Sequence, residues 1–186
     1  MPRVGTSAYL GGAPLIVDKT YLGVAGSILV TEALHTALQR FNLGEIFAPN
    51  PYGTALGLNP VYTLAAAFIK SCPSSNAALP VKAFPSLTAT QGMPTSEGIP
   101  FTFSVTGTLP GSFYITFVSG LATTSVAATA KGNMITTMVP MTAMGQVYAF
   151  VTNCNVTSPL TDSMILFGPA ILEVTPPSPM FDISQQ

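Results

Sequence analysis

Charge is scarce in this chain. Only 7 % of the residues are charged, six basic and seven acidic, for a net charge of −1. So small and even a balance excludes the electrostatic footprint of a nucleic-acid-binding protein or of an anionic membrane surface. Histidine occurs once, as His35, and no Gly-x-Ser-x-Gly string is present, so a serine-hydrolase constellation is missing. No glycine-rich phosphate loop occurs either. The seven acids are scattered and give no carboxylate pair of the kind glycoside hydrolysis needs. The eight methionines include no Met-x-Met cluster, so they read as core filling and not as a copper site. Mean hydropathy is high, at +0.50, yet uninterrupted apolar runs of about 20 residues are lacking. The charge-free stretch 46–69 is broken by Pro49, Pro51 and Pro60, and the stretch 98–130 by Thr, Ser, Gly and Pro. No transmembrane segment is therefore expected. Nor does the start, Met1-Pro2-Arg3 followed by a small-residue string, carry the basic and apolar regions of a signal peptide.

What is present centres on residues 18–40, DKTYLGVAGSILVTEALHTALQR, the longest stretch with a helical period and no proline. Asp18 suits the N-cap, and Arg40 suits the last turn, where a cation meets the helix dipole favourably. At 100° per residue, Tyr21, Ala25, Ile28, Glu32, His35 and Gln39 form one narrow stripe. Leu22, Leu29, Val30, Leu34, Leu38 and Phe41 ring the remaining faces. A helix apolar all round is normally buried in a larger assembly. Glu32 and His35, at i and i+3, share a face, and Glu-x-x-His turned into a core is a ligand pair of carboxylate-bridged di-iron bundles. The same two residues read equally as a buried, hydrogen-bonded polar pair without metal.

Gly11-Gly12 and Pro14 end any helix entering from the N-terminal side. A second helix is expected to start at Asn59-Pro60, with Asn59 as N-cap, and to run to Cys72-Pro73, with Leu64, Phe68 and the alanine run packed on the first. From about Lys82 the period falls from 3.6 to 2. Segments 86–90, 99–105, 113–118, 125–129, 134–139, 146–152 and 169–174 read as about seven short strands at the spacing of a sandwich, with Lys131-Gly132-Asn133 as a hairpin turn. Phe101, Phe103, Phe117, Val147 and Val151 are the expected core. Tyr114 and Tyr148 read as sandwich residues, and Asp162 and Glu173 as surface or strand-edge charges. Cys72 and Cys154 allow one bridge, from the helix end to a late strand, in an oxidising compartment, and two thiols otherwise. Asn155-Val156-Thr157 is an N-glycosylation sequon in a segment that reads as a loop.

Three strings, GTSAYLGGAPLI at 5–16, YLGVAGSILVTEALHTALQR at 21–40 and NPVYTLAAAFIKSCPSSN at 59–76, resemble the ferritin-like domain of a secreted fungal family. That family includes late-sexual-development and stress-response proteins, with plant desiccation-related proteins as distant relatives. VKAFPSLT at 81–88, FVSGL at 117–121, GQVYAFVT at 145–152 and FGPAILEV at 167–174 are similar to the C-terminal region of the fungal members. By that resemblance, residues 18–40 correspond to the fourth helix of a bundle and residues 1–11 to the end of the third. The first two helices have no counterpart, and Pro2-Arg3 stand where relatives carry an acidic pair. A complete site takes one Glu from each of two helices and Glu-x-x-His from each of the other two. Only Glu32 and His35 carry over, as an incomplete metal site.

The expected architecture is α+β: the C-terminal part of a ferritin-like helical bundle (1–75), an antiparallel immunoglobulin-like β-sandwich (76–176) and a flexible tail (177–186). The expected function is that of a non-enzymatic extracellular fungal protein linked to development or stress, secreted or wall-associated by resemblance. No cofactor is expected within the chain. One alternative is a metal-binding ferritin-like protein whose iron site is completed by an oligomeric partner. Another is a module binding carbohydrate or a cell-wall polymer. The stripe through Glu32 and His35 is expected either to border an exposed apolar groove or to be covered by a second copy of the chain.

Overall fold

The computed structural model describes residues 4–157 and 159–176. Pro2-Arg3 and the tail 177–186 lie outside the described residues. Three helices come first: α1 (Val4–Gly12), α2 (Lys19–Asn42) and α3 (Leu58–Ala66). Nine strands follow: β1 (Leu87–Ala89), β2 (Thr95–Ser96), β3 (Pro100–Val105), β4 (Tyr114–Ser119), β5 (Ala122–Ala127), β6 (Thr129–Lys131), β7 (Met134–Met138), β8 (Gly145–Thr152) and β9 (Ile165–Thr175). The chain is thus α+β. The expected switch of period falls between α3 and β1, and the tract 99–152 holds no helix.

Two sheets form, one in the order β1-β3-β7-β6 and the other in the order β2-β9-β8-β4-β5. All pairings are antiparallel except β2 with β9, where Thr95 lies opposite Val174 in parallel register. The alternation in β3 and β7 places Phe101, Phe103, Val105 and Ile135 on the inner face. The other sheet contributes Ile115, Phe117, Val147, Ala149, Val151 and Leu172 to the same cluster. All five expected core residues are buried. The weak segment 125–129 divides into the end of β5 and the three-residue β6. Two residues are too short for periodicity, which is why β2 is not legible in the sequence.

Strand β8 is buried on both faces. Val147, Ala149 and Val151 face the other sheet, and Tyr148 and Phe150 join Leu56 and Ile165 in a second cluster on the outer side, together with Val61 and Leu64. The helices and the loop before α3 therefore roof the outer face of this sheet.

The local chemistry of the helices is specific. The Asp18 carboxylate accepts from the backbone N–H of Thr20 at 2.7 Å and of Tyr21 at 3.1 Å, capping α2 as expected. These bonds, that from Tyr21 first, hold the Asp18 carboxyl below its ordinary pKa range. At the other end Leu43 N–H returns to the carbonyls of Arg40 and Gln39, and Gly44 takes a left-handed φ of +72° that turns the chain away. Helix α1 stops at Gly12, and Gly11 is required there. A Cβ at Gly11 would overlap the Leu56 carbonyl, because the Leu56 strand of chain crosses α1 and donates its N–H to Ser7 O at 3.1 Å.

Helix α3 departs from expectation. Its N-cap is Gly57, not Asn59, and it ends at Ala66, short of Cys72. The Asn59 side chain instead donates to Asp162 at 2.8 Å and accepts from Lys82 N–H at 2.8 Å, tying α3 to two later loops. A tertiary demand on the asparagine has displaced its capping role. The packing expected of α3 on α2 also differs: α3 lies on α1 and β9, Leu64 points to the sheet, and Phe68 is exposed beyond the helix end.

Candidate functional site

Helix α2 determines what the expected metal pair can do. Its covered side carries Leu22, Ala25, Leu29, Glu32, Thr36 and Arg40, spaced three or four apart, and faces α1. Glu32 lies against Gly5 of α1, where a Cβ would meet its carboxylate. Thr36 Oγ1 sits 3.5 Å from Thr6 Oγ1. His35 is one step round the helix and exposed. The six-residue stripe is therefore split: Ala25 is buried, Ile28 and Glu32 are half-buried, and Tyr21, His35 and Gln39 are exposed. The boundary of α1 runs along it. The broad exposed apolar surface lies on the neighbouring side, through Val24, Val30, Leu34, Leu38 and Phe41.

Among the described residues, no three His, Cys, Asp or Glu side chains come together in a way that suits a metal ion. Among the described residues, the pair Glu32 and His35 does not make up a carboxylate-bridged di-iron centre. One member is turned into a helix contact, the other faces outward, and no third ligand-type side chain joins them among the described residues.

The polar groups that do converge lie between the helices and the sheet. Arg40, 3 % exposed, sends two guanidinium N–H groups to the Glu173 carboxylate of β9, at 2.8 and 2.5 Å. Its Nε donates to Ile46 O at 2.6 Å, and Glu45 stands 3.6 Å away. Glu173 is thus not a surface or strand-edge charge as expected; it locks the end of α2 to the sheet. Beside this pair is a cavity of about 250 Å³ lined in part by Thr6, Thr36, Tyr52, Met144, Gln146 and Tyr148. Tyr148 OH is 2.8 Å from Ser7 Oγ and accepts from Gln146 Nε2 at 2.5 Å. Gln146 Oε1 is buried and makes no hydrogen bond among the described residues. Burial pushes the Tyr148 phenol above its ordinary pKa, with the bonds from Ser7 and Gln146 opposing it. A phenol held neutral is no base, and His35 is on the exposed side of α2. The hydrogen bonds of this cluster fasten α1 to β8.

Ser7, Gln146, Tyr148 and Glu173 escape sequence reading as a group. The available signal is a lone charge in an apolar setting: Arg40 closing an apolar helix, and Glu173 between Leu172 and Val174 in a strand.

The other predicted residues stand apart. Asn155 is exposed in the loop after β8, with Thr157 of its sequon also exposed. Cys72, exposed beyond α3, and Cys154, half-buried after β8, are both free thiols, so no bridge joins them in this structure. By length and composition α2 is long and apolar enough to cross a membrane. Mean hydropathy averages over Thr20, Ser27, Thr31 and His35, which interrupt every apolar run, and the two measures separate for that reason.

Residues 1–45 match the family model of a ferritin-like domain. The matched span holds α1 and α2 and none of the strands. No curated protein matches the chain.

Proposed function

We propose that this is a non-catalytic extracellular protein in which a ferritin-like helix pair, without a working metal site, serves as a structural roof on an immunoglobulin-like sandwich. The observation that carries the reading is the placement of Glu32 and His35. The first is spent on the contact with Gly5 of α1 and the second faces outward, with no third ligand-type side chain beside them among the described residues. The strand order supports the immunoglobulin-like part of the reading. Taken as A, B, E, D and G, F, C, the strands β1, β3, β7, β6 and β9, β8, β4 have the neighbours of that fold. An exposed sequon at Asn155 suits a secreted or wall-associated protein. The link to fungal development or stress rests on the resemblance of the strings quoted above.

Intact mass and elemental analysis of protein purified from its native source test this reading. The expected result is a mass increment of a glycan at Asn155 and iron well below one atom per chain. About two irons per chain would refute it and favour a site completed by an oligomeric partner.

A further inference from the structure

The exposed side of α2 has a size, a chemistry and a shape that together select an occupant. Val24, Val30, Leu34, Leu38 and Phe41 are between 54 % and 69 % exposed. These five alone leave on the order of 600 Å² open to water, at the upper limit for the largest apolar patch of an ordinary monomer. With Thr20, Gly23, Ser27 and Thr31 between them, the stripe approaches the roughly 800 Å² that one partner gives to a standard interface. Glu32 and Arg40 turn to the covered side, and Lys19 stands at the edge of the stripe in the first turn, opposite Asn42 of the other copy in the register below. Two copies of this surface therefore meet without like-charge repulsion.

Shape decides the arrangement. Thr20, Gly23, Ser27, Leu34, Leu38 and Phe41 fall within a sector of about 60° at 100° per residue. The small residues occupy its N-terminal half and the large ones its C-terminal half. We infer that this face binds a second copy of the chain, with the two α2 helices antiparallel about a two-fold axis between Val30 and Thr31. In that register residue i faces residue 61 − i. Leu38 then sits over Gly23, Leu34 over Ser27 and Phe41 over Thr20, each contact occurring twice, as a two-fold interface requires. Each large side chain fills the space a small one leaves, and the antiparallel helix dipoles attract. Space exists for this: a Cβ built on Gly23 meets nothing within 4 Å in the single chain. A parallel pair would stack Leu38 on Leu38 and leave Gly23 facing Gly23. Lipid is a poorer occupant. The Arg40–Glu173 pair holds one end of α2 to the sheet and keeps the helix from lying free in a bilayer. The dimer does not depend on the metal-free reading, and either can fail alone.

The test uses the full chain. Sedimentation of the unmodified protein should give a dimer of the 19.3 kDa chain. In a Cys72→Ser, Cys154→Ser background, Gly23→Cys with Leu38→Cys should oxidise to a covalent dimer. The two positions are about 22 Å apart along one helix, so one chain cannot bridge them. Leu34→Arg, counted twice in the interface, should weaken association by roughly a thousandfold while circular dichroism stays unchanged. Gly23→Leu, which has room in the single chain, should also weaken it. A monomer at every concentration overturns the inference. So does cross-linking through Gly23→Cys alone but not through the 23/38 pair, or flotation of the protein with neutral phosphatidylcholine vesicles in place of dimer formation.

Discussion

The ion pair between α2 and β9 is the contact whose removal should be felt most. Arg40 and Glu173 are 133 residues apart in sequence, with side chains only 3 % and 15 % exposed. Two unit charges near 4 Å attract by about 4 kcal/mol at an effective dielectric constant of 20. Desolvation on folding offsets much of this, so the net worth of the pair is small compared with the cost of breaking it. Arg40→Ala removes both guanidinium bonds to Glu173 and the bond to Ile46 O, and takes the arginine away from a part-buried carboxylate. The expected loss is about 3–5 kcal/mol. For a chain of this size each kcal/mol lowers Tm by about 2–4 °C, so the variant should melt roughly 6–20 °C earlier. Urea titration gives the free energy directly, provided the slope with denaturant is unchanged. A second variant separates the pair from mere bulk. Arg40→Met with Glu173→Leu should recover most of the loss, because an apolar pair of similar volume replaces an ion pair at little cost. A loss below about 1 kcal/mol for Arg40→Ala, the value of an exposed pair, would refute the reasoning, as would additivity of the two single substitutions.

Three further outcomes are expected. Tyr148 has a folded pKa raised by burial, so its contribution to stability is complete below about pH 10 and is lost as pH rises through the higher folded value. Alkaline melting curves should show this slope, and Tyr148→Phe should flatten it. Gly11→Ala forces a Cβ into the Leu56 backbone and should cost about 1–3 kcal/mol, whereas Gly12→Ala, with nothing within 4 Å, should be neutral or slightly stabilising by the same melts. Asp18 has a lowered folded pKa, so its cap is intact above the ordinary carboxylate range and is lost as pH falls through the folded value. Helix fraying at residues 19–22, read by amide exchange, should grow on acidification in the native chain and be present at all pH values in Asp18→Ala.

The sequence by itself determined the elements that depend on near neighbours. The period of 3.6 with a capping aspartate placed α2, and the change to period 2 placed most of the strands and the five core residues. Backbone geometry sets those periods within a few residues, so they are readable without the rest of the chain. Tertiary structure decided which side of α2 is covered. A helix apolar on nearly every face carries no pattern to choose among them, and it was the small residues of α1, Gly5 above all, that drew Glu32 inward and left His35 outside. Tertiary structure also decided that Asn59 ties loops and does not cap a helix, and that Tyr148 lies under the roof. It decided the use of Arg40 as well: the helix dipole explains a cation in the last turn, but its partner arrives 133 residues later. Such pairs depend on how the chain returns in space, and no local spacing encodes that return.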